Sequence, residues 1–77
     1  MMTLDRMRAD VARLIDLEPE EVADDANLAD LGLDSMRLMQ LAMGWEQAGL
    51  AVDFGVLAEY STLGDWWREI VAPQVRA

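Results

Sequence analysis

Ser35 stands at the end of the stretch "LGLDS", directly ahead of a helix-like segment that runs to Glu46. A serine so placed can be a nucleophile, a helix cap or a site of modification. As a hydrolase nucleophile it fails. The surrounding "GLDSM" is not the G-x-S-x-G elbow, and the chain has no histidine to take the hydroxyl proton. Any attack by Ser35 needs a base from another protein. As a cap, Ser35 shares the position with Asp34, and both residue types do that job well. As a modification site it is well placed. A helix N-terminus offers free N–H groups and a positive dipole end, which suit a phosphodiester.

The acids nearby pose a second question. Asp16 to Asp34 holds eight of the chain's fifteen acids and no base. A calcium loop needs D-x-[DN]-x-[DN]-G. "DDANLADLGLDS" supplies Asp25 and Asn27, then Ala29 where the next ligand belongs, with no glycine at the sixth place. With neither cysteine nor histidine in the chain, no metal site is expected.

These residues need helices to hold them. Thr3 can cap a first helix, and Leu4, Met7, Val11, Leu14 and Ile15 form one apolar stripe. Asp5, Arg6, Arg8, Asp10 and Arg13 fill its wet side. The pattern predicts a helix over Thr3 to Leu17, stopped by Pro19. The acidic stretch that follows carries Val22, Leu28, Leu31 and Leu33, so it is a long loop pinned by apolar residues. Loops beyond about 12–15 residues are usually functional. A second helix starts near Ser35 and ends by Gly49. Asp53 can cap a short third helix with Val56, Leu57 and Tyr60. Thr62-x-x-Asp65 imitates a capping box and opens a last helix, with Pro73 after its end. The expected fold is all-α: three main helices, one short helix, and a long loop between the first two.

The second helix has two apolar sides. Leu38, Leu41, Ala42 and Trp45 fall on one stripe, the core face, which Leu63 and Trp66 of the last helix should join. Trp67 should be partly exposed. Met36, Met39 and Met43 fall on another stripe, with Gln40 and Gln47 on the same side. That second stripe is either extra core beneath the long loop or a surface for partners, since methionine adapts to irregular contacts and exposed apolar patches mark interaction sites.

A chain of 77 residues makes one small domain, residues 1–77, of marginal stability. Its net charge of −9 repels phosphate backbones and anionic lipid, so neither nucleic acid nor a membrane is an expected partner. No apolar run approaches the roughly 20 residues of a membrane span, and no signal peptide is legible. A cytoplasmic location and a monomer are expected. Met1 and Met2 in tandem read as an expression leftover or an alternative start.

"LADLGLDSMRLMQLA" resembles the attachment motif of acyl carrier proteins, in which the serine after G-x-D receives 4′-phosphopantetheine from coenzyme A. The resemblance covers nearly the whole chain. Fatty-acid carriers have a more acidic second helix, and carriers of peptide synthetases often read G-G-H-S or G-G-D-S. The Ser-x-Arg step, Asp53-Phe54, "LAEYST" and Trp66-Trp67 look most like the aryl carrier domains of siderophore-type peptide synthetases. Such domains are often fused to an isochorismatase or a synthetase; the Met start favours a free-standing carrier.

The resemblance implies a four-helix bundle without catalytic activity, and attachment of the arm to Ser35 beside Asp34 and Leu33. It implies three kinds of partner: a phosphopantetheinyl transferase, an adenylating ligase that loads an aromatic acid as a thioester, and a condensation or tailoring enzyme. Met36, Arg37, Met39 and Met43, extended by Phe54 and Ala58 of the third helix, are the expected docking surface. Rival readings are a carrier of an aminoacyl or polyketide unit and an unmodified helical adaptor.

Overall fold

The computed structural model describes residues 2–75. Met1 of the tandem pair lies outside them, and Met2 is buried in the core. Four helical elements follow in order: α1 (Leu4–Leu14), α2 (Ser35–Gln47), α3 (Phe54–Glu59), and a composite α4. Composite α4 is built from Leu63–Trp66, a π-helical turn Trp67–Val71, and Ala72–Val75. A single 3₁₀ turn, Pro19–Glu21, interrupts the long loop. Among the described residues there is no strand.

Each start uses the cap that its sequence offers. Thr3 accepts from the Arg6 N–H, Asp34 from Arg37, Asp53 from Gly55 and Thr62 from Asp65. The ends are more informative. Gly49 closes α2 in the left-handed conformation at φ +99°. Its N–H bonds the Glu46 carbonyl, and the Leu50 N–H bonds that of Trp45. α1 ends the same way but with Asp16, at φ +64°, as the left-handed residue, and the Leu17 N–H reaches back to the Ala12 carbonyl. The helix therefore stops at Leu14 rather than Leu17. An Asp tolerates this conformation because its short polar side chain can bond locally. The expectation that Pro73 follows the last helix is also corrected. The π turn, in which the Ala72 N–H bonds the Trp67 carbonyl five residues back, widens the helix just before Pro73. The ring is then carried within Ala72–Val75, since Pro in a regular helix interior would clash with the preceding turn.

The core is assembled from Met7, Val11, Leu41, Trp45, Leu57, Leu63, Trp66, Ile70 and Val71. Trp45 and Trp66 meet edge to face, with ring centroids 6.2 Å apart and planes at 76°. Trp67 is half-buried, as expected, and so is Leu38 at the margin of the core face. Each buried indole N–H finds an acceptor. Trp66 Nε1 donates to the Tyr60 carbonyl at 2.8 Å, and Trp45 Nε1 donates to Asp10 Oδ2 at 2.9 Å. Asp10 thus leaves the wet side to which its periodicity assigned it. Arg13, at 3.2 Å, shares its charge.

The long loop is pinned as its apolar residues suggest: Val22 and Leu28 are fully buried. The Leu28 N–H bonds the Ser61 carbonyl at 2.9 Å, and the Gly64 N–H bonds the Asp24 carbonyl at 3.0 Å. A Cβ on Gly64 would stand 3.3 Å from that same carbonyl oxygen, tighter than an ordinary contact, so a side chain there would press the loop outward by a few tenths of an ångström. Arg8 adds bonds to the Val22 carbonyl and the Asp24 carboxylate. Asn27 Oδ1 caps the turn beneath it, accepting from the Ala29 N–H at 3.0 Å. These contacts hold the loop's last residues, Leu31 to Asp34, against the mouth of α2.

Candidate functional site

Asp34, not Ser35, is the N-cap of α2. Its Oδ1 accepts from the Arg37 N–H at 2.9 Å, and its Oδ2 pairs with Arg37 Nη1 at 2.8 Å. The Asp34 carbonyl takes the Leu38 N–H at 2.9 Å. The bond from the Arg37 N–H, more than the nearby guanidinium charge, holds the Asp34 carboxyl below the usual carboxylate range. The guanidinium of Arg37 has a second engagement: its Nε donates to the Leu14 carbonyl, at the last residue of α1, at 3.0 Å. Arg37 therefore ties the start of α2 to the negative end of α1 while its side chain stays 44% exposed.

Ser35 is consequently free of structural duty. It is the first residue of α2, it is exposed, and no hydrogen bond to its hydroxyl occurs among the described residues. It sits at the helix end where N–H groups lack intrahelical acceptors. Beside it opens a cleft of about 290 Å³. Leu33, Leu38, Leu57, Ala58, Tyr60 and Trp66 are among the residues that line it. Leu33 is half-buried against the core, and the turn before it is made at Gly32, where φ is +113°. A linear, mostly uncharged chain attached to Ser35 would find an apolar channel here between α2 and α3. The residues present fit such an arm.

The second stripe of α2 is not core. Met36, Met39 and Met43 are 75%, 53% and 58% exposed, and Phe54 on α3 is 42% exposed. Ala58 is exposed and lines the same cleft as Ser35, so α3 flanks the serine. The structure thus leaves the methionines unpartnered and brings Ser35, Leu33 and Ala58 to one cleft, whereas Arg37 faces partly inward. Tyr60 and Ser61 of the cleft wall escaped the sequence reading as site residues. Their signals were their position between two helix caps and their place in "LAEYST".

The family model described as "Phosphopantetheine attachment site" matches residues 5–70. The acyl carrier protein ScoB of Streptomyces coeruleorubidus is 38% identical over 73 residues, 95% of this chain and 86% of that protein. The phenyloxazoline synthase MbtB of Mycolicibacterium paratuberculosis is 41% identical over 66 residues, 86% of this chain but 6% of the synthase. The enterobactin synthase component B of Escherichia coli K12 is 42% identical over 62 residues, 80% of this chain and 21% of that component. No solved structure matches.

Proposed function

The chain belongs to the phosphopantetheine-attachment family of carrier proteins, and from that premise we propose that Ser35 is the attachment residue of an aryl carrier spanning residues 1–77. A carrier of this family does no catalysis itself. It works with a phosphopantetheinyl transferase and with loading and processing enzymes. The arm supplies the thiol that the cysteine-free chain lacks, and on it an aromatic acid is held as a thioester.

The observation that carries the assignment is the division of labour at the helix mouth. Asp34 does the capping, so the Ser35 hydroxyl is exposed and unengaged at an open helix N-terminus. The chain has no histidine, so the transferase provides the base for that hydroxyl. Leu33, Leu38 and Ala58 give the arm an apolar wall to lie against. Met36, Met39, Met43, Phe54 and Ala58 form the surface on which the loading and processing enzymes dock in turn, with Arg37 at its edge. The aryl cargo and an adenylating ligase as loading partner rest on the character of α2 and on the likeness to a phenyloxazoline synthase and an enterobactin synthase component. The likeness to an acyl carrier protein along most of that protein's length favours a plain acyl cargo as the second reading. Among the described residues, no helix is long and apolar enough to cross a membrane.

The test is loading. Incubated with coenzyme A and a broad-specificity transferase, the protein should gain the mass of one phosphopantetheinyl group. The loaded form is then offered to adenylating ligases for aromatic acids, aminoacyl substrates and aliphatic acids. Acceptance of aromatic acids alone supports the aryl reading. Acceptance of aliphatic acids alone replaces it.

A further inference from the structure

α3 is only six residues long, yet it carries Phe54 and Ala58 and forms one wall of the Ser35 cleft. So short a helix does not hold its own position. Its C-terminal end is held by Trp66, whose Nε1 donates to the carbonyls of Tyr60 at 2.8 Å and Leu57 at 3.2 Å. Its N-terminal end is approached through Ala51, Val52 and Asp53, a segment with no regular structure. Ala51 is exposed, but both of its backbone groups are taken by one side chain. Its N–H donates to Gln74 Oε1 at 2.9 Å, and Gln74 Nε2 donates back to its carbonyl at 2.7 Å. The same Nε2 also donates to the Ile70 carbonyl at 2.7 Å, which fixes the side chain against its own helix. Every hydrogen of that amide group is engaged, and only a primary amide offers this combination of two donors and an acceptor.

We propose that Gln74 is a positioning residue for partner docking: it clamps Ala51 and thereby sets where α3 presents Phe54 and Ala58 beside Ser35. The π turn is part of the device. By adding a residue to the helical circuit, Trp67–Val71 turns the direction in which Ala72–Val75 projects its side chains, and Gln74, itself exposed, reaches Ala51 from there. Composite α4 therefore holds α3 at both ends, with an indole at one and an amide at the other. The inference rests on the reading that α3 is a docking element, and its structural half can be measured without that reading.

The test uses Gln74→Ala and Gln74→Glu in the full chain. Glutamate keeps the length but places a carboxylate against two carbonyl oxygens, so both variants should release Ala51. Amide exchange at Ala51 should accelerate about tenfold or more in each. Residual dipolar couplings of the Phe54–Glu59 amides should change while those of Ser35–Gln47 stay. Ser35 modification should proceed at the original rate. In acyl transfer with a cognate enzyme, KM for the carrier should rise several-fold with kcat held. Unchanged exchange and couplings overturn the clamp. A changed α3 with unchanged KM, in a chain where Phe54→Ala does raise KM, overturns the positioning role. If Phe54→Ala itself leaves KM unmoved, the docking reading fails, and the clamp stands or falls on exchange and couplings.

Discussion

The two apolar sides of α2 have similar side chains and opposite fates. On one, Leu41, Ala42 and Trp45 are buried against α1 and α4. On the other, Met36, Met39 and Met43 stay more than half exposed. The inward side is rigid and shaped: Trp45 has a ring partner and an acceptor for its N–H. The outward side is unbranched, flexible and begins next to Ser35. Burial of apolar area drives folding for the first set, whereas exposure of the second brings the free chain no stability. A carrier that meets several enzymes needs such a surface, and methionine re-packs against different partners at little cost. Apolar periodicity alone does not separate these roles. What separates them is whether a partner element exists within the chain.

The sharpest way to break this division is at its boundary. Ser35→Ala should abolish pantetheinylation completely while the helical content and melting temperature stay close to the parent's, because Asp34 retains the cap. Mass spectrometry and circular dichroism on the same sample report both. Residual labelling in the variant would place the attachment elsewhere.

On the inward side, Trp45→Ala and Trp66→Ala should each cost roughly 3–5 kcal/mol, a large share of the stability of so small a domain. Both variants also remove a hydrogen bond: the indole bond to Asp10, which keeps Arg13, in the first, and the bond to the Tyr60 carbonyl in the second. Urea titration should show the midpoint falling far below the parent's. A midpoint unchanged in either would mean that the inward stripe is misread.

On the outward side, Met39→Ala and Phe54→Ala should leave melting and Ser35 modification nearly intact. Docking that depends on a few exposed anchors is sensitive to each one. Loading or onward transfer should slow by about tenfold, the equivalent of about 1.4 kcal/mol of lost binding. Collapse of melting with normal transfer would return the methionines to the core.

Much of this arrangement was legible in the residues themselves. Caps are local, so Thr3, Asp53 and Thr62 announced three helix starts, and periodicity picked out both faces of α2. The misses share a cause: each depends on a partner distant in sequence or on an uncommon backbone state. Asp16 ends α1 in a conformation for which glycine is the usual signal. Asp10 sits at a polar position of the helical wheel yet serves Trp45, 35 residues away. The search for an acceptor that every buried indole requires would have singled it out. Pro73 looked like a terminator because a π turn leaves no mark in a hydrophobic pattern. The site followed the same rule. That Asp34 or Ser35 caps α2 could be read locally, but which of them does so could not, and the cleft depends on Leu57, Tyr60 and Trp66 arriving from the far half of the chain.

The smallest effect concerns the cap that frees Ser35. Asp34 is held below the usual carboxylate range chiefly by the Arg37 N–H, with help from the Arg37 guanidinium. A depressed folded-state pKa means that the unfolded chain binds this proton more readily. The contribution is therefore fully present above the ordinary Asp value of about 3.9 and is lost as pH falls through the lower folded value. Asn caps as well as Asp, so Asp34→Asn should keep the bond to the Arg37 N–H and remove only the charge. The parent should melt slightly higher than the variant near about pH 6, and the gap should close as pH falls through the lowered folded-state value. Added salt should also narrow it, because the ion pair with Arg37 is solvent-exposed. Ser35 modification should be nearly equal in the two proteins at about pH 7, since the helix start is the same. A gap that stays constant across the acid range would show that Asp34 acts through geometry alone. A fall in modification as large as that of Ser35→Ala would show that the carboxylate is itself read by the transferase.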